Sequence, residues 1–158
     1  MAIPHPELAL LGGGHMARAL IGGWLARGVA ATQLRVADPS PEARTAAERD
    51  FPGLRAFERN VDAAGGAGVW VLAVKPQVLR EVALGLAPLA ARERPLAISV
   101  AAGIRVADLQ RWLGPAVPVI RTMPNRPALV GAGVTALYAA PGVDAAQREL
   151  AGALLDAV

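Results

Sequence analysis

The stretch 7–25, ELALLGGGHMARALIGGWL, decides the fold of this 158-residue chain. A short apolar run, residues 8–11, meets three glycines at 12–14, and a helical pattern follows at once. Two adjacent helical rows at i, i+4 and i+8 carry apolar side chains: Met16, Leu20 and Trp24 in one row, and Ala17, Ile21 and Leu25 in the other. A strand, a tight turn and a helix in this order form the unit that seats a dinucleotide pyrophosphate on a helix N-terminus.

Short apolar runs alternate with helical patterns along the rest of the chain. The later predicted strands cover 34–37, 55–57, 69–74, 96–100, 117–123 and 134–138. Further helices are predicted from about Glu42, from Pro76, over 106–113 and over 144–158. Repeated strand–helix units favour a parallel sheet with helices packed on it. The sequence therefore predicts an α/β fold, a Rossmann-type, doubly wound and mostly parallel sheet with helices on both faces, as one domain over residues 1–158.

Composition excludes several classes of protein. The 54% apolar content is enough for a proper core, and the absence of cysteine excludes disulfides and thiolate chemistry. Two histidines are too few for a histidine-based site, so no metal is predicted. The net charge is only +3, and the arginines are scattered, which argues against a nucleic-acid partner.

No targeting or membrane segment is predicted. The N-terminus, MAIPHPE, lacks a basic start followed by an apolar core. The longest uncharged run, residues 127–143, is interrupted by glycines and prolines, which makes it too broken for a membrane helix. A soluble cytoplasmic protein is the expectation.

The glycine loop fits the pattern G-x-G-x-x-A at Gly12, Gly14 and Ala17. Gly12 permits the sharp turn, Gly14 lets phosphates approach the backbone, and the small Ala17 lets the helix pack closely on the first strand. Free N–H groups at the start of the helix then face the pyrophosphate. The alternative is a loop with packing duties alone. His15 either leans over the phosphates or is a solvent-exposed helix residue.

Asp38 follows the second predicted strand, where an acidic residue often binds the adenosine ribose. Taken alone, it favours the ribose diol of NAD. Ser40, Arg44 and Thr45 lie nearby and could instead surround the 2′-phosphate of NADP. A third interpretation makes Asp38 a helix cap or turn former before Pro39. The choice between NAD and NADP stays open.

Three further segments stand at predicted C-terminal strand ends, where ligands collect in open α/β sheets. They are AVKPQ at 73–77, SVAAG at 99–103 and RTMPN at 121–125. Together with GGGHMARAL, they resemble pyrroline-5-carboxylate reductase over essentially the whole chain. The resemblance implies an oxidoreductase that transfers a hydride from NAD(P)H to the C=N bond of pyrroline-5-carboxylate. The product is L-proline, in the last step of proline biosynthesis.

The resemblance also implies site residues. The pyrophosphate contacts are Gly12, Gly13, Gly14, His15, Met16 and Ala17. Asn60 lies near the adenosine. Asp38 and Ser40 are two further candidate contacts at that end, because of their position after the second strand. The residues under the phosphates and nicotinamide ribose are Ala73, Val74, Lys75 and Pro76. The residues along the nicotinamide are Ala101, Ala102, Gly103, Met123, Pro124 and Asn125.

No catalytic residue is identified, but Lys75 and Asn125 are candidates near the nicotinamide. Hydride transfer needs no protein nucleophile, only close approach in a dry site. Lys75 either offers positive charge to the substrate carboxylate or ends a buried strand and points to water. Asn125 either fixes a turn at the nicotinamide or belongs to an ordinary proline-bounded loop. Two residues depart from the family pattern, because His15 replaces its asparagine and Arg126 replaces its threonine.

The resemblance lacks one part. In the family, a C-terminal helical domain forms the dimer and binds the imine carboxylate, and this sequence ends before such a domain. The full-length protein is expected to be a homo-oligomer, with these residues as its cofactor-binding half. Two alternatives stay open: a nucleotide-binding fragment without catalysis, or a related reductase of another small carbonyl or imine, such as a β-hydroxyacid dehydrogenase.

Overall fold

The computed structural model describes residues 6–125, 127, 130 and 132–158. Among the elements of these residues, strands alternate with helices as far as the sixth strand, and the seventh strand comes next. The strands are β1 (Leu8–Leu11), β2 (Leu34–Ala37), β3 (Arg55–Phe57), β4 (Val69–Leu72), β5 (Leu96–Ser99), β6 (Val119–Pro124) and β7 (Thr135–Ala139). The helices are α1 (His15–Ala26), α2 (Pro41–Asp50), α3 (Asn60–Ala64), α4 (Pro76–Glu93), α5 (Val106–Leu113) and α6 (Ala145–Leu155).

All seven strands belong to one sheet with the order β3-β2-β1-β4-β5-β6-β7. The first six strands are parallel, and β7 is antiparallel to β6. The strand order reverses beside β1, which pairs with β2 on one side and with β4 on the other. This topology confirms the predicted fold class. In such sheets ligands bind outside the carboxyl ends of the strands at the reversal.

The central strand β1 is buried on both faces. Leu8 and Leu10 join an apolar cluster that includes residues of α1 and α6, whereas Ala9 and Leu11 join a second cluster that includes residues of α4 and α5. All four side chains are fully buried. An uninterrupted apolar run is typical of parallel strands covered by helices on both sides. The pattern at 8–11 therefore follows directly from the position of β1 in the sheet.

Helix α1 packs on this sheet through the face that the sequence predicts. Ala17, Leu20, Ile21 and Trp24 are buried, while the remaining members of the two rows, Met16 and Leu25, are partly buried. The indole Nε1 of Trp24 donates a hydrogen bond of 2.8 Å to the backbone oxygen of Leu154. That buried bond ties α1 to α6.

Several predicted boundaries differ from the structure. The strand predicted over 69–74 ends at Leu72, and the last bond of its pairing with β1 runs from the Ala73 N–H to the Leu11 oxygen at 2.8 Å. The strand predicted from residue 117 begins at Val119. Helix α3 was not predicted, since five residues are too few for a helical period to show.

Two adjacent glycines in α1 are expected to respond oppositely to alanine. A Cβ at Gly23 would overlap the backbone oxygen of Ala157, but a Cβ at Gly22 meets nothing within 4 Å. We expect Gly22→Ala to raise the free energy of unfolding by about 0.5–1 kcal/mol, because alanine favours a helix interior. We expect Gly23→Ala to lower it by about 1–3 kcal/mol through overpacking. Urea unfolding of both variants measures the difference; stabilisation of both would contradict the close packing of α1 against the chain after α6.

Candidate functional site

The carboxyl ends of neighbouring strands gather the predicted site segments at one edge of the sheet. The strand register places Leu11 beside Leu72, Leu72 beside Ser99 and Ser99 beside Arg121. Segments 12–17, 73–76 and 101–103 come after β1, β4 and β5, and segment 123–125 covers the end of β6. Asp38 follows β2 on the other side of β1. Segments far apart in sequence thus meet along the edge where the strand order reverses.

Gly12 joins three strand ends. Its N–H donates to the Ala37 oxygen at 2.8 Å, and its φ of +106° lies in the left-handed region that favours glycine. A Cβ on Gly12 would lie 2.7 Å from the backbone oxygen of Ala73. The turn that Gly12 makes therefore leaves no room for a side chain.

Asp38 connects the glycine loop to the turn after β2. Its Oδ2 accepts a hydrogen bond from the Gly13 N–H at 3.0 Å, and its Oδ1 accepts one from the Ser40 N–H at 2.9 Å. A Cβ on Gly13 would lie 3.2 Å from the same Oδ2, so the loop backbone and the carboxylate are in close contact. The ribose and turn-forming interpretations of Asp38 are therefore not exclusive, because two of its lone pairs hold backbone and others stay available.

The start of α1 faces open space. Gly14 is exposed and caps the helix without a side-chain hydrogen bond, and its oxygen accepts the first helical bond, from Arg18 N–H at 3.0 Å. A Cβ on Gly14 meets nothing within 4 Å. The N–H groups of the first turn have no acceptor within the helix, and they carry the positive end of the helix dipole. This end of the helix is suited to an anion.

The neighbours of Gly14 divide between core and surface. Ala17 is fully buried on the core-facing side of α1, which fits the predicted need for a small residue there. Met16 is partly buried. His15 is exposed as the first residue of α1. Its position is compatible with either interpretation made from the sequence.

A cleft of about 480 Å³ lies between α3, α4 and the end of β2. Its lining residues are Ala37, Pro39, Glu58, Arg59, Asn60, Val61, Val74, Val78, Glu81, Val82, Gly85 and Leu86. Two of them, Asn60 and Val74, are predicted site residues. Val82 is partly buried, packs against the core and also lines the cleft. Val78, four residues before it on the same helical row, is 45% exposed and lines the cleft too, and neither valine is identified as a site residue from the sequence.

Buried polar groups fix the far end of the site. Ser99 and Thr122 are the buried polar residues in the described part of the chain, and both stand near strand ends. The Thr122 hydroxyl donates to the Ser99 oxygen at 2.9 Å, and the Ala101 N–H donates to the Ser99 hydroxyl oxygen at 3.3 Å. Ala101 is buried, while Ala102 and Gly103 are exposed beyond it. The start of the loop after β5 is therefore held by these hydrogen bonds, and small residues are exposed just beyond it.

The two candidate catalytic residues lie at this edge and are exposed. Lys75 caps α4, and Pro76 is the first helical residue, as predicted. The side-chain Oδ1 of Asn125 accepts a hydrogen bond from the Val134 N–H at 2.9 Å, which supports a turn-fixing role. Met123 is 49% exposed and Pro124 is partly buried. Arg126, which departs from the family pattern, lies outside the described residues.

A second cavity of the molecule is separate from this edge. A cavity of about 580 Å³ lies beside α6 and the start of β7, and it contains none of the predicted site residues. Among the residues that the structure describes, no group of three histidine, aspartate or glutamate side chains is placed to hold a metal ion. None of the helices over these residues combines the length and the apolar character needed to cross a membrane.

The strand order, the glycine turn after β1 and the acidic residue after β2 place the chain in the class of Rossmann-type α/β domains. Residues 7–103 match the family described as NADP oxidoreductase, coenzyme F420-dependent, and the chain belongs to that family.

Relatives and solved structures narrow the resemblance. The chain is 47% identical to the pyrroline-5-carboxylate reductase of Pseudomonas aeruginosa over 153 residues, which are 97% of this chain and 55% of that one. A pyrroline-5-carboxylate reductase structure from Coxiella burnetii superposes with a TM-score of 0.94 at 33% identity, over 98% of this chain and 57% of that one. The Plasmodium falciparum enzyme, solved with NADP bound, shares the fold at 22% identity, with a TM-score of 0.84 over 99% of this chain and 56% of that one. The resemblance inferred from the sequence is confirmed, and the chain spans about half the length of these relatives.

Proposed function

We propose that this chain is the cofactor-binding part of a pyrroline-5-carboxylate reductase. It holds NADP(H) or NAD(H), and the whole protein reduces the cyclic imine to L-proline. The observation that carries the proposal is the contrast within the glycine loop. The space that a side chain on Gly12 would need is occupied by the backbone of other residues, whereas the space beside Gly14, at the positive end of α1, is empty of protein atoms within 4 Å. A loop with packing duties alone would have no reason to keep the second glycine free.

The residues around the loop fit a dinucleotide diphosphate. The backbone of Gly14, His15 and Met16 supplies N–H groups at the helix start, and Ala17 lets α1 sit close to β1. The NADP named in the family description and bound in the Plasmodium relative supports NADP as the cofactor class. The diphosphate contacts are the same for NAD.

The two ends of the cofactor have different surroundings. The cleft beside Asn60 and Val74 suits the adenosine, because it lies against the end of β2 and next to the Asp38 turn. The nicotinamide is assigned to the edge beyond β5 and β6, with Ala102, Gly103 and Met123 exposed there. Ala73, Lys75 and Pro76 connect the two ends.

The chain contributes positioning, and the bound reduced nicotinamide contributes the hydride. Small exposed residues at 102–103 allow a flat ring to approach the backbone closely. Lys75 is assigned the attraction of a substrate carboxylate, and Asn125 holds the turn that follows Pro124. The remaining substrate contacts and the homo-oligomeric interface are assigned to the further length that the relatives have, as a helical domain.

A second candidate function is cofactor binding without turnover. The observation that favours it is that the open start of α1 and the glycine loop account for cofactor binding by themselves, without any group that takes part in turnover. Reduction of an unrelated carbonyl is less supported, because the relatives at 33% and 47% identity share the pyrroline-5-carboxylate name.

The proposal is tested by titrating the protein with NADPH and NADH while following nicotinamide fluorescence. We expect saturable binding, and no saturation up to millimolar ligand would overturn the proposal. A nicotinamide absorbance assay with pyrroline-5-carboxylate then separates the two candidates. Oxidation of the cofactor that depends on the imine supports the reductase, whereas binding without oxidation supports the non-catalytic module.

A further inference from the structure

We infer that Asp38 determines cofactor specificity and makes the adenosine end of the site select a free ribose diol over a 2′-phosphate. This inference rests on the proposed function and deepens it. It assigns to this chain a preference for NAD(H) over NADP(H), although the family description names NADP. The argument depends on the hydrogen bonds around the turn between β2 and α2.

The Asp38 carboxylate is held in place by backbone. Each of its oxygens accepts one N–H, from Gly13 at 3.0 Å and from Ser40 at 2.9 Å. An ionised carboxylate has about four acceptor positions, so roughly two stay available. Ribose hydroxyls donate to such positions, but a phosphate dianion cannot. A 2′-phosphate beside this carboxylate would meet like-charge repulsion.

The groups that could neutralise a 2′-phosphate already have partners. The Ser40 hydroxyl donates to the Glu42 carboxylate at 2.8 Å and accepts the Ala43 N–H at 3.2 Å. Arg44 donates from Nη1 to the backbone oxygens of Asp38 and Pro39, at 2.8 and 3.0 Å. A phosphate that took its hydrogen bonds from the Ser40 hydroxyl or from Arg44 Nη1 would have to displace these partners.

The second nearby arginine is also committed. Arg59, on the rim of the cleft, forms two hydrogen bonds with Asp62, at 2.9 and 2.7 Å. The Arg44 Nη2 atom lies 3.9 Å from a carboxylate oxygen of Glu58, another cleft residue. The cations near the ribose end are thus balanced by acids before any ligand binds.

Hydrogen bonds lower the pKa values of two acids in this region, Glu42 and Asp62. The pKa of Glu42 is lowered by its backbone N–H and by the Ser40 hydroxyl, and Arg59 lowers the pKa of Asp62. Lowered values keep both carboxyl groups ionised well below pH 7. The region therefore offers a phosphate no uncompensated positive charge among the described side chains named above.

The first arm of the test uses the unmodified protein and two fragments that differ only in the 2′-phosphate, 5′-AMP and adenosine 2′,5′-bisphosphate (2′,5′-ADP). Isothermal titration with each fragment measures the two affinities directly, without an activity assay. We expect 5′-AMP to bind about tenfold more tightly or better. Equal affinity, or tighter binding of 2′,5′-ADP, overturns the inference. Because no substituted protein is involved, this arm decides the question even if the variant below fails to fold.

The second arm changes the carboxylate. We expect Asp38→Asn to shift the ratio of NADPH to NADH affinity by about tenfold toward NADPH. Glu149→Gln, which removes one charge from the exposed face of α6, is the matched control and should leave the ratio unchanged. An unchanged ratio in a folded Asp38→Asn protein contradicts the inference. Failure of both dinucleotides to bind the unmodified protein would instead contradict the proposed function.

Discussion

Gly14→Val is expected to abolish dinucleotide binding while the protein stays folded. The backbone at Gly14 has φ −71° and ψ −173°, an extended conformation that valine readily adopts. No protein atom lies within 4 Å of the added Cβ. The branched side chain would occupy the space assigned to the diphosphate, so we expect affinity to fall roughly hundredfold or more. Nicotinamide fluorescence gives the affinity, and a urea unfolding curve shows that the fold is kept.

The matched control is Gly22→Val in the same helix. Gly22 also has no atom within 4 Å of its Cβ position, but it lies two turns beyond the helix start. We expect this variant to bind the dinucleotide as the unmodified protein does. Wild-type affinity in Gly14→Val, or an equal loss in both variants, would show that the diphosphate does not lie at the start of α1.

Gly12→Ala is expected to have the largest effect on stability. Alanine would be forced to a φ of +106°, and its methyl carbon would lie 2.7 Å from the backbone oxygen of Ala73. Backbone strain costs about 1–3 kcal/mol and overpacking a similar amount, so we expect a loss of about 2–5 kcal/mol. That is a large part of the stability of a typical domain. Urea unfolding at equilibrium measures it.

Gly28→Ala isolates the backbone part of this cost. Gly28 has a φ of +89°, yet a Cβ there meets no atom within 4 Å. We expect it to lose only about 1–2 kcal/mol. The difference between the two variants is then the cost of the contact with Ala73. Equal losses would mean that the strand end after β4 moves aside without resistance.

The fold was predictable because its signals are local. Apolar runs such as 8–11 are buried on both faces, and Pro76 and Asp144 mark helix starts that the structure retains. Helix α3 was missed because five residues are too few to show a helical repeat of apolar residues. Strand ends were less predictable, since β4 ends where its pairing with β1 ends, and the last bond of that pairing joins Ala73 to Leu11, which is far away in the sequence.

The positions of the site residues were predictable from the sequence, whereas their hydrogen-bond partners were less so. Residue spacing placed Asp38 beside the glycine loop, but its bond to Gly13 joins residues 25 positions apart, and no local pattern shows it. The acidic and basic residues Glu58 and Arg59 line the same cleft as Glu81, and this cleft forms only when α3 and α4 pack together. Their contribution to the charge of the site is a property of the folded chain.

The double attachment of the glycine loop has a consequence for binding. Gly12 is bonded to the Ala37 oxygen and Gly13 to the Asp38 carboxylate. The loop is therefore preorganised, and ordering it takes little conformational entropy from the free energy of association. The loop therefore has its binding conformation before a ligand arrives.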